Sequence, residues 1–514
     1  MSYNYNSSRS ESGSITGYII MAIAAVAVLG WPWLVWGPSL AHGWADVFIS
    51  AAPVFIFIGA IVALFVVAVI AFSAGNGPGA AIGTIAVLGI LLLLVLSIIT
   101  AVRTTFDTHA QYVSSVKVVT DPAPDYAPRA PYDVAASSAH KLMGDTTGTE
   151  LNSKVLIDQG KSGLWTTLVE RNGWQVGYES VQTIDIPMFG AADASNVKNC
   201  NFDVNAAEQR LGGVLPHESL DLMVNAQTPV NVTFDSGDVY GYCDGDTPKV
   251  VVPLKSHDGF WITKWNVFGA AVYDGKTGQV TVFTDTSDIP GPVYPQSLAA
   301  IQRQALDALN KDGKVGTWED HVQNRNGFEN ANDTGSFNGS EFTLRYAGDS
   351  DAGYSTPLSP RGSSTSVVAI ANIDATESTS GKLNTLSVHK YAKGHTRSAN
   401  SSIAQEIETQ YSWMPDWATG LEVFEVVPGE DGNWVASIGK SQNIVYRAVI
   451  EQDGDAILYD KNGDEVTRTG TQPGDDGSTS EPVEVDGDLA AMTPAQLHDL
   501  AGRILDELAR RATK

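Results

Sequence analysis

The sequence predicts an N-terminal three-helix transmembrane region followed by an α+β extracytoplasmic region with a mostly antiparallel sheet. Three observations carry that prediction. Of the 514 residues, those numbered 1–102 hold one basic side chain, Arg9, and two acidic ones, Glu11 and Asp46, although the whole chain has a net charge of −26. Within this stretch the runs 18–36, 47–72 and 80–102 are apolar and free of charge. Beyond it, apolar residues alternate in period two around Asn-Gly pairs, and helical spacing arrives late in each segment.

Residues 1–17 read as a polar N-terminal tail and 18–102 as three transmembrane helices, because about 20 apolar residues cross ~30 Å of hydrocarbon. A signal peptide has a shorter apolar core and is not followed by two more spans. Trp31, Trp33, Trp36 and Trp44 cluster between the first run and the second, as indole rings do at a membrane interface. Pro32 marks a kink or a frayed turn there. Residues 103–133 read as a stalk and a Pro-rich spacer, with Pro122, Pro124, Pro128 and Pro131 favouring extended chain.

An α+β domain is expected over 134–340. Two alternating runs meet at Asn172-Gly173, a strong hairpin signal, and "DVYGYC" and "KVVVPL" are further strands. "NVFGAAVYDGKTGQVTVF" is another hairpin. A helix follows, with Leu298, Ile301, Ala305 and Leu309 on one face and Gly313 past its end. A second α+β domain is expected over 341–467, where hairpin and helix recur before a run of strands that ends at Asn462-Gly463. Residues 468–488 are acidic and poor in apolar side chains, the composition of a linker. Residues 489–514 predict an amphipathic helix capped at Thr493-Pro494. Its stripe of Leu497, Leu500, Ile504, Leu505 and Leu508 would face a partner or pack back on its own domain.

Charge narrows the partners. A domain this acidic has no basic stripe to displace counterions from phosphate, so nucleic acid is not expected as a partner. Arg9 and the terminal amine are balanced by Arg103 and Lys117, so charge alone does not orient the spans. Cys200 and Cys243 form an even pair compatible with one disulfide, which places the large domain outside the plasma membrane; the alternative is two reduced thiols in a cytosolic domain.

Several stretches carry a resemblance. "DYAPRAPYDVAASSAHKLMGDTTGTE", "PGPVYPQSLAAIQRQALDAL" and "STPLSPRGSSTSVVAI" resemble an uncharacterised family of actinobacterial membrane proteins also carried on plasmids and phages. The hairpin "AAVYDGKTGQVTVF" is separately similar to the strand pair of PepSY-type extracytoplasmic domains. These likenesses imply an exported sheet and bring no activity with them.

Short motifs of catalysis occur, and each has a plainer reading. Gly275-Lys276-Thr277 resembles the end of a phosphate loop, but five residues separate Gly269 from Gly275 where four are needed, and a strand follows where a helix should start. Ser138 and Lys141 have S-x-x-K spacing, yet the S-x-N candidates at Ser336 and Ser398 follow Lys276 in the wrong order for a serine acyltransferase. Asn310, Asp312, Gly313 and Glu319 match part of a calcium loop whose first position is Ala308, which cannot ligate. Glu319, Asp320 and His321 read as neighbours in a polar loop. No catalytic residue, metal site or cofactor is therefore expected. The expected role is a membrane-embedded protein that presents a binding or structural domain to a protein partner at the envelope, as in secretion, conjugation or surface exclusion. The alternative is an envelope enzyme, a wall hydrolase or transferase, with an unrecognised site.

Overall fold

A computed structural model describes residues 12–467, apart from 74–76, 145–147, 159–162, 174–176, 214, 260–261, 332–340, 347–351, 363–365, 393, 442 and 452–455; for 12–35 it describes the backbone alone. Two helices open the fold. Helix α1 (Ser12–Ser73) leaves helical geometry at Trp36, with φ −115° and ψ 20°, just before Gly37-Pro38. Pro38 removes a donor from the helical ladder, so the bend falls here and not at Pro32. Helix α2 (Gly77–Tyr112) runs back beside it.

Val54–Ser73 and Ala81–Ser115 are long and apolar enough to cross a membrane; their apolar 18-residue windows have mean hydropathy 3.2 and 3.1 and are only 6% buried. Ile70, Ile85 and Ile98 are among the apolar side chains left facing outward. A surface of that kind is covered by lipid more readily than by water. The two helices meet over small residues, Ala68, Ala71 and Ala86, and a Cβ on Gly83 would come within 2.7 Å of the Phe72 ring. The expected first span, 18–36, is helical backbone inside α1, and its side chains lie outside the described residues.

After α2 come β1 (Val116–Val119), β2 (Tyr126–Ala127) and α3 (Tyr132–Lys141). A meander follows: β3 (Thr149–Asp158), β4 (Gly163–Glu170), β5 (Tyr178–Ile184) and β6 (Val197–Asn201). Helix α4 (Leu220–Asn225) leads into β7 (Val232–Thr233), β8 (Tyr240–Asp244), β9 (Thr247–Asp258), β10 (Lys264–Asp274) and β11 (Val280–Phe283), which make one antiparallel five-stranded sheet. Next are α5 (Gln296–Gln304), α6 (Trp318–Val322), β12 (Phe328–Asn330), β13 (Phe342–Tyr346), β14 (Ala352–Pro360), β15 (Ser366–Val367), β16 (Ala369–Asp374), β17 (Leu386–Lys390) and β18 (Arg397–Ser398). Helix α7 (Asn400–Gln410) precedes a second meander, β19 (Glu422–Pro428), β20 (Trp434–Lys440), β21 (Asn443–Ile450) and β22 (Ala456–Tyr459). Pairing is antiparallel throughout except between β1 and β17.

The expected hairpins form at the expected turns, β4 with β5 and β10 with β11. The expected helix is shorter than its stripe, α5 giving way to a 3-10 turn at Ala305–Ala308, but the stripe is core: Leu298, Ala305 and Leu309 are buried with the end of α2. Two other expectations meet a different structure. Residues 116–119 and 126–127, read as stalk and spacer, are strands of a seven-stranded sheet whose other members lie beyond residue 327. The boundary expected at residue 340 runs through one apolar cluster that holds Phe106, Tyr112, Leu298, Leu306, Tyr354 and Val388.

Those contacts make α2 continuous with the core of the domain. Tyr112 is fully buried, and its hydroxyl accepts from the Trp265 N–H at 2.7 Å. His109 pairs with Asp307 at 2.7 Å, and the Phe106 ring meets Trp318 edge-on. A second attachment lies beyond the Trp36 bend. His42 places Nδ1 2.8 Å from the Val232 carbonyl and Nε2 3.0 Å from that of Asn225, while the Asn225 amide donates to Ser39 Oγ. Both helices therefore grip the β-rich region directly, with no flexible tether between them.

Candidate ligand-binding cleft

In the second meander the register aligns one polar rung: Glu425 opposite Ser437, Ser437 opposite Arg447, and Arg447 opposite Tyr459. The next rung on the same face is apolar, Val427, Val435, Val449 and Ile457, because side chains two residues apart share a face. The opposite face, with Val426, Ala436, Ala448 and Leu458, is buried, and α7 packs on that side of β19. Asn400 on α7 donates to the Val426 carbonyl at 3.0 Å, and the Tyr411 hydroxyl donates to that of Ala456 at 2.9 Å. The rung with the charges thus looks away from α7, into a cleft of about 400 Å³.

Arg129 reaches this rung from the segment between β2 and α3, where Pro128 and Pro131 keep the chain extended. It donates from Nη2 to Glu425 Oε1 at 2.6 Å and from Nη1 to Oε2 at 2.9 Å, with both side chains almost wholly buried. The guanidinium also lies over the Trp165 ring, 5.4 Å from its centre. Arg447 has no such carboxylate. Its Nη2 donates to the Arg129 carbonyl at 2.7 Å and its Nε to that of Met188 at 3.3 Å. Burial first, and then repulsion from Arg129, push its guanidinium down to about 10, with Glu425 opposing. Asp133, in the first turn of α3, is pushed up to about 6 by burial and by the charges of Glu425 and Glu422.

A wider cleft of about 640 Å³ lies beyond the β19–β20 turn and shares Tyr126, Pro428, Gly429, Asp431 and Asn433 with the first. Asp431 sits at the tip of that turn with φ 54°, its N–H held at 2.9 Å by the Asp125 carboxylate. The turn separates the two hollows. Each holds a buried arginine whose partners are carbonyls and not carboxylates, Arg447 in the smaller and Arg397, which donates to the carbonyls of Glu451 and Gly432, in the wider; the smaller has the apolar walls.

The residues singled out from sequence fall elsewhere. Cys200 on β6 and Cys243 on β8 form a disulfide that ties the first meander to the five-stranded sheet. Trp36 marks the bend in α1, and Trp44 is half exposed and stacked on Phe48; the side chains of Trp31 and Trp33 lie outside the described residues. Leu497, Leu500, Ile504, Leu505 and Leu508 lie outside them too. Ser138 is buried on α3 while Lys141 is exposed. Lys276 and Thr277 cap a hairpin tip, their N–H groups donating to Asp274 Oδ1, and Gly269 occupies a bulge with φ 139° where a Cβ would lie 2.0 Å from the Phe283 carbonyl. Asn310 accepts from the N–H groups of Asp312 and Lys314 in a simple turn. His321, expected in a polar loop, stacks on Trp318 and lies 5.1 Å from the Phe106 ring. Among the described residues no acid, His or Cys cluster is suited to a metal ion.

No protein-family model, curated protein or solved structure matches the chain. Arg129, Glu425 and Arg447 carry the cleft and were not singled out from sequence. One signal was present. In "NIVYRAVIE" the alternation places Arg447 between Val445 and Val449 on one strand face, and an inward charge in an apolar row is unusual enough to mark.

Proposed function

We propose that the chain crosses the plasma membrane three times, at 18–36, 47–72 and 80–102, and holds its acidic β-rich region on the outer face, where it acts by binding a partner of the envelope. The observation that carries this reading is the continuity of α2, whose apolar length runs on into Phe106, Tyr112 and Val113 inside the domain core. A domain built onto the end of a spanning helix is fixed against the lipid surface and presents the same face to it at all times. The Cys200–Cys243 disulfide favours the oxidising side of the membrane. The Arg447 cleft supports binding, because a buried donor flanked by apolar walls is the usual construction of a recognition site.

Single reporter cysteines test the orientation, since the native chain has no free thiol. Asn205→Cys and Ser73→Cys substitute exposed positions, one in the β-rich region and one at the end of α1. In intact cells a membrane-impermeant maleimide is expected to label Asn205→Cys at once and Ser73→Cys only after permeabilisation. The reverse pattern would put the domain in the cytoplasm and overturn the reading.

A further inference from the structure

We propose that the cleft beside Arg447 takes a carboxylate carried on an apolar body. This rests on reading the cleft as a binding site and adds the chemistry of what it binds. Of the charged side chains around it, Glu430 and Asp431 stand exposed at the rim, and Arg129 and Glu425 below are locked in a buried two-point pair and cancel. Arg447 remains, 8% exposed, with one positive charge left over. An ion removed from water to this extent costs several kcal/mol unless another charge answers it. Its protein partners are two backbone carbonyls and, at 3.4 Å, the Met188 sulfur, all on Nε and Nη2. Nη1 has no partner among the described residues, and the residue lines the cleft.

The walls decide what else the ligand carries. Leu344, Phe189, Val427, Val435 and Val449 line the space, and the three valines are only half buried, so apolar surface remains for a guest to cover. The rim limits the charge. Glu430 and Asp431 are exposed at its edge and would repel a dianion such as a phosphate monoester. A single negative charge on a planar group suits the free Nη1 edge of the guanidinium. A fatty acid and a peptide ending in an apolar residue share this chemistry.

The full chain in lipid nanodiscs, titrated calorimetrically against empty nanodiscs as blank, separates these sources. The probes are octanoate and acetyl-Val-Val with a free carboxyl end, each beside its neutral amide. At least one acid is expected to bind saturably and about tenfold more tightly than its amide, the order expected for a hydrogen bond to a charged group. Preference for octanoate names a fatty-acyl ligand, and preference for the dipeptide names a peptide terminus. Arg447→Gln should abolish the difference between acid and amide. Val449→Glu, at a half-buried wall position that leaves Arg447 in place, should weaken the acid more than the amide and so narrow or reverse the preference. The proposal is overturned if neither acid outbinds its amide, or if the preference survives both substitutions. Saturable binding of the amides without preference would leave a binding cleft and remove only the carboxylate; no saturable binding of any probe would remove both.

Discussion

The two four-stranded meanders share a topology and differ in what their faces meet. In the first, Leu156, Trp165, Ile184 and Val197 form one apolar rung across β3 to β6, covered by Val134, Ala135 and Ala139 of α3. Its other face packs on the five-stranded sheet so closely that a Cβ on Gly241 would come within 2.6 Å of Leu168. In the second meander the corresponding position across β19 to β22 is the rung of Glu425, Ser437, Arg447 and Tyr459. Arg129 lies between the two, over Trp165 of one sheet and paired with Glu425 of the other. One sheet is closed on both faces and serves stability. The other is closed on one face only, and keeps buried charge on the side left open.

The largest effect should come from breaking the charged rung. Glu425→Ala would leave Arg129 and Arg447 buried together with no anion, and removing one partner of a buried pair costs about 3–5 kcal/mol. Denaturant unfolding of the full chain in nanodiscs measures it. A loss under about 0.5 kcal/mol, the range of an ordinary surface substitution, would show that water already screens the rung.

Next in size is the seal on the first meander. Replacing Cys200 and Cys243 together by Ala frees a loop of sequence separation 43, and the expected loss is about 2–4 kcal/mol. The Arg447 cleft should be unaffected, because the bond lies in the sheet pair on the far side of Trp165 from the charged rung. If the double variant lost affinity for the carboxylate probes while remaining folded, the two meanders would have to be treated as one unit.

The sequence announced the strands of the second meander and the central hairpin of the first, β4 with β5, but neither β3 nor β6, and it was silent on the rung. Asn172-Gly173, the alternation in "QVTVF" and the helical stripe from Leu298 to Leu309 are local signals, and each sits where its period placed it. The seven-stranded sheet is a different case. It pairs Val116 with Leu386 and Tyr126 with Tyr346, and strands of four and two residues joined across such distances leave no period to read. A Pro-rich stretch therefore looked like a spacer although Tyr126 is buried against Asn372. The rung depends on register too. Glu425, Ser437 and Arg447 face one another only because bulges after Val423 and Ile438 shift the pairing, and a bulge is set by tertiary fit as much as by the strand that contains it.

The smallest effect, and the finest test of the comparison, is in pH. Asp133 stands at the start of α3, the helix that covers the apolar rung, yet it feels Glu425 and Glu422 of the charged meander. Its carboxyl is raised from 3.8 to about 6, burial contributing most and the two glutamates the rest. The folded chain therefore holds this proton more tightly than the unfolded chain does. The stability it contributes is present in full below pH 3.8 and is lost as pH rises through about 6. Asp238 is raised into the same window, but it is common to both proteins and cancels when Asp133→Asn is compared with wild type. Asp133→Asn should match wild type at the acid end and become the more stable of the two as pH climbs to neutrality, with unfolding midpoints measured at half-unit steps. A difference that stayed constant across the window would mean that the Asp133 carboxyl is not raised, so that neither burial nor the charges of Glu425 and Glu422 act on it. The two meanders would then be coupled through Arg129 alone.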